Sequence, residues 1–282
     1  MANSWAQSRV LTEKSWAVLK AHRGLLSFPI AAFFINVLVL LIFAVLAIVL
    51  FVVGNWVTVT LGIVVVLAGL YLTQIVGFVA KGGMVACADD ALAGRPMEIG
   101  AGWARSLRHG GDIAQWAFIS MIVGVLLGAI RGNGQGNVAA VLLRNVVAAA
   151  AGVAWSIITL FVLPAIVLDD SGVINAIKSS AHVVKERWGT QISGNVRIAG
   201  RLILLFLPGL GLALGGVFAA QVSIPLAAVL IVLGVPLMII AGLLAGTVRT
   251  IFSVALYRFV TSGETLGGFT VEELQSAVRT RG

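Results

Sequence analysis

Phe28-Pro-Ile-Ala-Ala-Phe-Phe-Ile-Asn-Val-Leu-Val-Leu-Leu-Ile-Phe-Ala-Val-Leu-Ala-Ile-Val-Leu-Phe-Val-Val53 is followed by Gly54-Asn55 and then by a second apolar run, Trp56 to Val79. Neither run carries a charged side chain. At about 1.5 Å of rise per residue, about 20 apolar residues cross roughly 30 Å of hydrocarbon. Two residues between such runs leave room only for a helical hairpin. The first run is too long for the apolar core of a signal peptide, and Met1–Ser27 before it is polar and amphipathic. It is therefore expected to stay as a span.

Four more stretches pass the same test, near Ile113–Ile130, Val138–Leu168, Ile198–Ala220 and Ile224–Thr247. They form two further hairpins, with turns at Arg131–Asn137 and Gln221–Ser223. Bulk composition agrees. Of the 282 residues, 60% are hydrophobic and 11% charged, against about 25% charged in a soluble domain. Mean hydropathy is +1.06. These values exclude a soluble enzyme, a disordered chain and a coiled coil. One cysteine, Cys87, excludes an internal disulfide and a cysteine-based zinc site. The net charge of +8 reads as a positive-inside bias, and no nucleic-acid partner is expected.

The cations set the orientation. Arg131 and Arg144 lie toward one face, and the other 17 of 19 lie in the termini and the two long loops. The positive-inside rule places both termini and both loops in the cytoplasm. A multi-pass protein of the inner (cytoplasmic) membrane is expected.

Internal similarity is visible before each hairpin. Ser15-Trp-Ala-Val-Leu-Lys-Ala-His-Arg-Gly24, Gly102-Trp-Ala-Arg-Ser-Leu-Arg-His-Gly-Gly111 and Ser180-Ala-His-Val-Val-Lys-Glu-Arg-Trp-Gly189 align on their final glycines. Trp16 then matches Trp103, His22 matches His109, and Lys20 matches Lys185. The hairpin exits align too: Val85-Ala-Cys-Ala-Asp-Asp90, Ala165-Ile-Val-Leu-Asp-Asp170 and Val254-Ala-Leu-Tyr-Arg-Phe259. The unit is read as an interfacial amphipathic helix, a hairpin and an exit, used three times. Cations on one face and Trp or Leu on the other place such a helix in the headgroup plane. Repeat boundaries fall at about 1–90, 91–170 and 171–260, with 261–282 as a cytoplasmic tail, all within a single membrane domain over 1–282.

Pro164-Ala-Ile-Val-Leu-Asp-Asp-Ser-Gly172, then Asn175-Ala-Ile-Lys-Ser-Ser180 and Arg187-Trp-Gly189, carry a resemblance. The chain is similar to an uncharacterised family of bacterial and archaeal six-span membrane proteins of unknown function. That family in turn looks like the membrane domain attached to some glycerophosphodiester phosphodiesterases. Pro164, Asp170, Ser180 and Trp188-Gly189 fill its characteristic places. The resemblance implies a membrane module without catalysis, because the phosphodiesterase chemistry resides in a separate soluble domain.

No nucleophile, base and orienting group can be assembled, so no catalytic residue is assigned. No cofactor and no metal are expected: His22, His109 and His182 lack metal-ligand spacing. Asp89-Asp90 and Asp169-Asp170 could bind a cation, but read better as structural pairs that end spans, cap the next helix and meet nearby cations. Lys20, Arg108 and Lys185, on the repeated helices, are candidates for lipid headgroups or a partner. Arg144, Arg197, Arg201 and Arg249 lie in or at the rim of spans, where charge is costly. They either bind an anion or snorkel to the headgroups. Gly211-x-x-x-Gly215 and Gly242-x-x-x-Gly246 suit close helix packing.

The fold class is all-α, a polytopic bundle of six transmembrane helices. The expected role is a non-enzymatic scaffold meeting membrane lipids and a protein partner or a second copy on the cytoplasmic face. The alternative is a small transporter or lipid-handling protein, whose cavity Asn36, Gln74, Arg144 and Asn145 would have to line. In the tail, Thr270 and Glu273 form a capping box that starts a short helix. Its stripe, Val271, Leu274 and Val278, must dock on the protein itself, on the bilayer or on a partner.

Overall fold

The structure, a computed structural model, describes residues 2–132, 137–188 and 206–278. All regular structure among them is helical. In order these are α1 Ala2–Ala21, a 3-10 turn Arg23–Leu26, α2 Ser27–Val53, α3 Trp56–Leu92, α4 Ile99–Arg108, α5 Gly110–Arg131, α6 Val138–Ile158, α7 Val162–Leu168, α8 Val173–Trp188, α9 Leu207–Ala219, α10 Ile224–Ser262 and α11 Val271–Val278.

Among the described residues five helical stretches are long and apolar enough to span a membrane: Arg23–Val53, Trp56–Leu92, Gly110–Arg131, Ala139–Leu168 and Ile224–Ser262. In the most apolar window of each, only 6–28% of residues are buried within the protein. Phe34, Leu38, Leu41, Val45 and Val49 of α2 are all well exposed. Water cannot be their solvent at this density of apolar surface. The chain is a helical membrane protein. The span expected at Ile198–Ala220 lies partly outside the described residues, and α9 is its described end.

The turns at the hairpin tips follow local chemistry. Gly54, at φ +73°, ends α2, and Asn55 Oδ1 accepts from Thr58 N–H at 2.9 Å to cap α3. Gly132, at φ +67°, ends α5, and Asn137 Oδ1 accepts from Ala140 N–H at 2.8 Å to cap α6. Ser223 caps α10 through Leu226 N–H at 3.5 Å, with Pro225 in the first turn.

At their other ends the helices outrun the membrane. The 37 residues of α3 and 39 of α10 correspond to about 55–58 Å, far beyond about 30 Å of hydrocarbon. No breaker interrupts α3 before Gly94 (φ +68°) and Pro96. The exit segments are therefore continuations of helices, and they are where burial concentrates: Val79–Asp89 on α3 and Thr247–Tyr257 on α10. The fourth stretch is instead broken at Thr159–Phe161. Pro164 lacks the N–H that would bond Leu160 C=O, and its ring crowds that carbonyl. Ser180 of α8 mends the gap: its hydroxyl donates to Ile158 C=O and accepts from Phe161 N–H at 3.2 Å.

The chain divides into two compact units. Met1–Leu26, Ala88–Pro96 and Arg187–Gly282 make the first. There α1 packs on α10 through Leu11, Ser15 and Leu19, one turn apart and all buried. The α9–α10 hairpin is tighter still. A Cβ on Gly209 would lie 2.9 Å from Gly234 O, and one on Gly216 3.0 Å from Ala227 O. These positions recur every seven residues, the repeat of helices crossing at about +20°. Among the described residues Gly211 and Gly246 meet nothing within 4 Å, while Gly215 and Gly242 meet only side chains of Leu230 and Phe206, so the backbones approach most closely at Gly209 and Gly216.

Ser27–Cys87 and Met97–Glu186 make the second unit. Phe43 and Phe51 of α2 fill the notches at Gly69 and Gly62 of α3, and Phe28 sits against Gly83 and Gly102. Along the other side of α3 runs α4–α5, antiparallel and in constant register. Cys87 Sγ–H donates to Glu98 C=O at 3.4 Å, Gly102 abuts Gly83, Ser106 Oγ donates to Val79 C=O at 2.7 Å, and Tyr71 Oη donates to Ala114 C=O at 3.0 Å. In each pair the numbers fall on one side as they rise on the other by equal steps. Helix α4 therefore runs alongside α3.

Candidate functional site

In the first unit the last turns of α3 carry a charged network. Asp89 is buried, with 3% of its side chain exposed. Arg258 of α10 grips it with two parallel bonds, Nε to Oδ1 at 2.7 Å and Nη2 to Oδ2 at 2.9 Å. The left-handed turn at Gly94 folds Arg95 back onto the helix, so that its N–H donates to Asp90 C=O at 2.8 Å. Its guanidinium then bonds Asp89 Oδ2 at 2.7 Å and Asp90 Oδ1 at 2.9 Å. Two carboxylates and two guanidiniums neutralise one another. Such a network holds three segments of chain in place.

The tail closes over this end of α3. Gly267 N–H donates to Leu92 C=O at 2.9 Å, one of the last carbonyls of the helix. Gly267 sits at φ +65°, and a Cβ there would run into the Leu92 side chain, so this crossing needs glycine. The expected capping box is present: Thr270 N–H donates to Glu273 Oε2 at 2.8 Å, and Glu273 N–H to Thr270 Oγ1 at 3.3 Å. Of the apolar stripe, Leu274 is fully buried, Val271 is 47% exposed, and the Val278 side chain lies outside the described residues. Phe269 packs edge-on to Phe252 with ring centroids 6.5 Å apart. Of the three destinations for the tail, the structure takes the protein's own: α11 packs on α1. Lys14 Nζ pins it there, donating to Gly268 C=O and to Glu273 Oε2, both at 2.6 Å. Partial burial pushes the Glu273 carboxyl up, but Lys14 and the Thr270 N–H outweigh that and hold it below its usual value.

The two acidic pairs differ. Asp169 and Asp170 are exposed at the end of α7, with Asp170 left-handed at φ 50° and its Oδ1 3.0 Å from His109 Nε2. Among the proposed headgroup cations, Lys20 and Arg249 in the first unit are exposed, as are Arg108, Arg144 and Lys185 in the second. The Arg144 guanidinium reaches back toward Gly132 at the hairpin tip. Arg197 and Arg201 lie outside the described residues. Gln74, Arg144 and Asn145 are exposed, while Asn36 is half-buried.

Residues 59–268, most of the chain, match DUF6159, a family of unknown function. The protein belongs to the DUF6159 family. No curated protein matches it. In this DUF6159 protein the matched stretch holds the Asp89, Asp90, Arg95 and Arg258 network, and it ends at Gly268, whose carbonyl Lys14 grips. Lys14 and Glu273 lie outside that stretch. The sequence singles out neither Lys14 nor Arg95 as an ion-pair partner, and it singles out Glu273 only as the cap partner of Thr270. A legible signal was the inversion at the fifth place of the exits, where Asp89 in one corresponds to Arg258 in another.

Proposed function

We propose that this membrane protein is a non-enzymatic scaffold of the cytoplasmic membrane, with both termini and the charged helix ends in the cytoplasm. There it meets anionic lipid and a protein partner or a second copy. The reading includes six spans and a threefold repeat, with Ile198–Ala220 as the fifth span. It rests chiefly on where the charges go. Asp89 is spent on Arg95 and Arg258, and Lys14 on the tail, so these charged groups of the first unit hold segments of the chain together. The implied likeness to a phosphodiesterase membrane domain points the same way, toward a module without its own chemistry.

Crosslinking in native membranes followed by purification should recover a reproducible partner or a homo-oligomer. The purified protein in liposomes should pass no solute. Solute flux, or hydrolysis of a lipid substrate, would overturn the reading. One observation favours a transporter instead: Asn36 Oδ1 and Ser120 Oγ are buried within the spans of the second unit without a hydrogen-bond partner. If they belong to a transport path, Asn36→Leu would abolish flux.

A further inference from the structure

The register of α3 against α4–α5 converts sequence position into depth. The contacts 87 to 98, 83 to 102, 79 to 106 and 71 to 114 place Arg108 level with Gly77, Arg105 level with Ala80, and Ala104 level with Lys81. Trp56, 81% exposed, opens α3 at the hairpin tip. Aromatic side chains anchor at the membrane–water boundary. At about 1.5 Å per residue, Gly77 lies roughly 32 Å from Trp56 and Lys81 roughly 38 Å, just past a hydrocarbon core of about 30 Å.

Between these two levels both helices turn large apolar side chains outward. Leu61, Val64, Leu67 and Leu70 are exposed on α3, and Phe118, Ile122 and Val125 on α5. At the far level cations join the outward face, beside the exposed Leu107. Lys81 and Arg108 are exposed and Arg105 is half-exposed. Asp112, one turn along from Arg108, lies beside Gly172.

We propose that Lys81, Arg105 and Arg108 form a belt that binds the headgroups of anionic phospholipid in the cytoplasmic leaflet. Beyond this belt α3 and α4 leave the membrane and pair in water. The register explains why α4 has cations without lying flat. Its last turn meets the headgroups, and its first turns, packed through Gly102 on Gly83, stand above them. Lys81, which the repeat alignment passes over, joins the belt only because α4 folds back along α3. The proposal rests on the reading of α3 as a span with its Trp56 end outside. It deepens the lipid part of the proposed function and leaves the protein partner open.

The full chain, reconstituted in nanodiscs of equimolar phosphatidylglycerol and phosphatidylcholine and then released, should retain phosphatidylglycerol preferentially in native mass spectrometry. Each cation removed should lower that preference about fivefold, so K81Q/R105Q/R108Q should abolish it and K81R/R105K/R108K should keep it. A water-soluble maleimide should label Ala104→Cys and spare Leu72→Cys. The proposal fails if the glutamine variant, at unchanged Tm, keeps its preference, or if Leu72→Cys labels as fast as Ala104→Cys. If the glutamine variant does not fold, R108Q alone decides by the same fivefold criterion. Partner recovery by crosslinking is scored separately, so loss of the scaffold reading would leave this result standing, and the reverse.

Discussion

Arg258 holds Asp89 in a two-pronged grip across 169 residues of sequence, and the two stand at the same place in matching segments. Asp89 is fifth in Val85-Ala-Cys-Ala-Asp-Asp90, and Arg258 is fifth in Val254-Ala-Leu-Tyr-Arg-Phe259. What reads along the chain as a departure from the Asp-Asp ending is, in space, the complement of Asp89. A carboxylate at both places would bring like charges together in a buried site. One of each makes a pair that can be buried.

Asp89→Asn should destabilise the protein strongly, because it leaves Arg258 and Arg95 facing each other. Breaking a buried pair costs about 3–5 kcal/mol. Arg95 is half-exposed, so water offsets part of this and about 3 kcal/mol is expected. Arg258→Gln should cost less, since Arg95 still satisfies Asp89. Thermal unfolding of the single and double variants in detergent tests the pairing. Additive effects would show that the two residues do not act together.

Leu274→Ala should release the tail and leave the spans inserted. Removing a fully buried leucine costs about 2–5 kcal/mol. An eight-residue helix has little stability of its own to set against that. Limited proteolysis should cut near Gly267–Thr270 in the variant far faster than in the parent protein. Equal rates would mean that Leu274 does not hold the tail.

Acid should loosen the same contact. Glu273 in the docked tail has its carboxyl held below the usual value of 4.5. The undocked tail therefore binds a proton more readily. The stabilisation is fully present above about pH 4.5 and is lost as pH falls through the lowered value. Proteolytic cleavage of the tail should rise over that window, measured with an acid-active protease. In Glu273→Gln, which cannot titrate, the rise should be absent and cleavage should be faster at neutral pH.

Gly102→Ala should push α4 off α3. The added Cβ would lie 2.9 Å from Gly83 O and 2.5 Å from Cys87 Sγ. Overpacking of this kind costs about 1–3 kcal/mol. Cys87 is buried at this contact, and its thiol should become open to a membrane-permeant maleimide. A thiol as unreactive as in the parent protein would show that α4 packs elsewhere.

Some of this architecture is local and was legible without coordinates. Asn55, Asn137 and Ser223 each cap a helix through an N–H three residues on, and Thr270 and Glu273 cap each other over the same distance. Length and apolarity alone made the spans, because in hydrocarbon a single apolar segment satisfies its own backbone only as a helix. Sequence placed Asp89, Asp90 and Lys14 near the charged face but could not choose their partners. Arg95 and Arg258 are two of 19 cations, and only the packing of α10 brings Arg258 to a carboxylate 169 residues away. Helical periodicity showed that α4 has two faces. It could not show that the Gly102 and Ser106 face lies against α3 and not toward lipid, since small residues serve either purpose until a neighbour's shape decides. The glycines make the same point. Gly211 and Gly215 carry a familiar spacing, yet Gly209 and Gly216 take the contact, because the crossing of α9 and α10 determines which positions two backbones share.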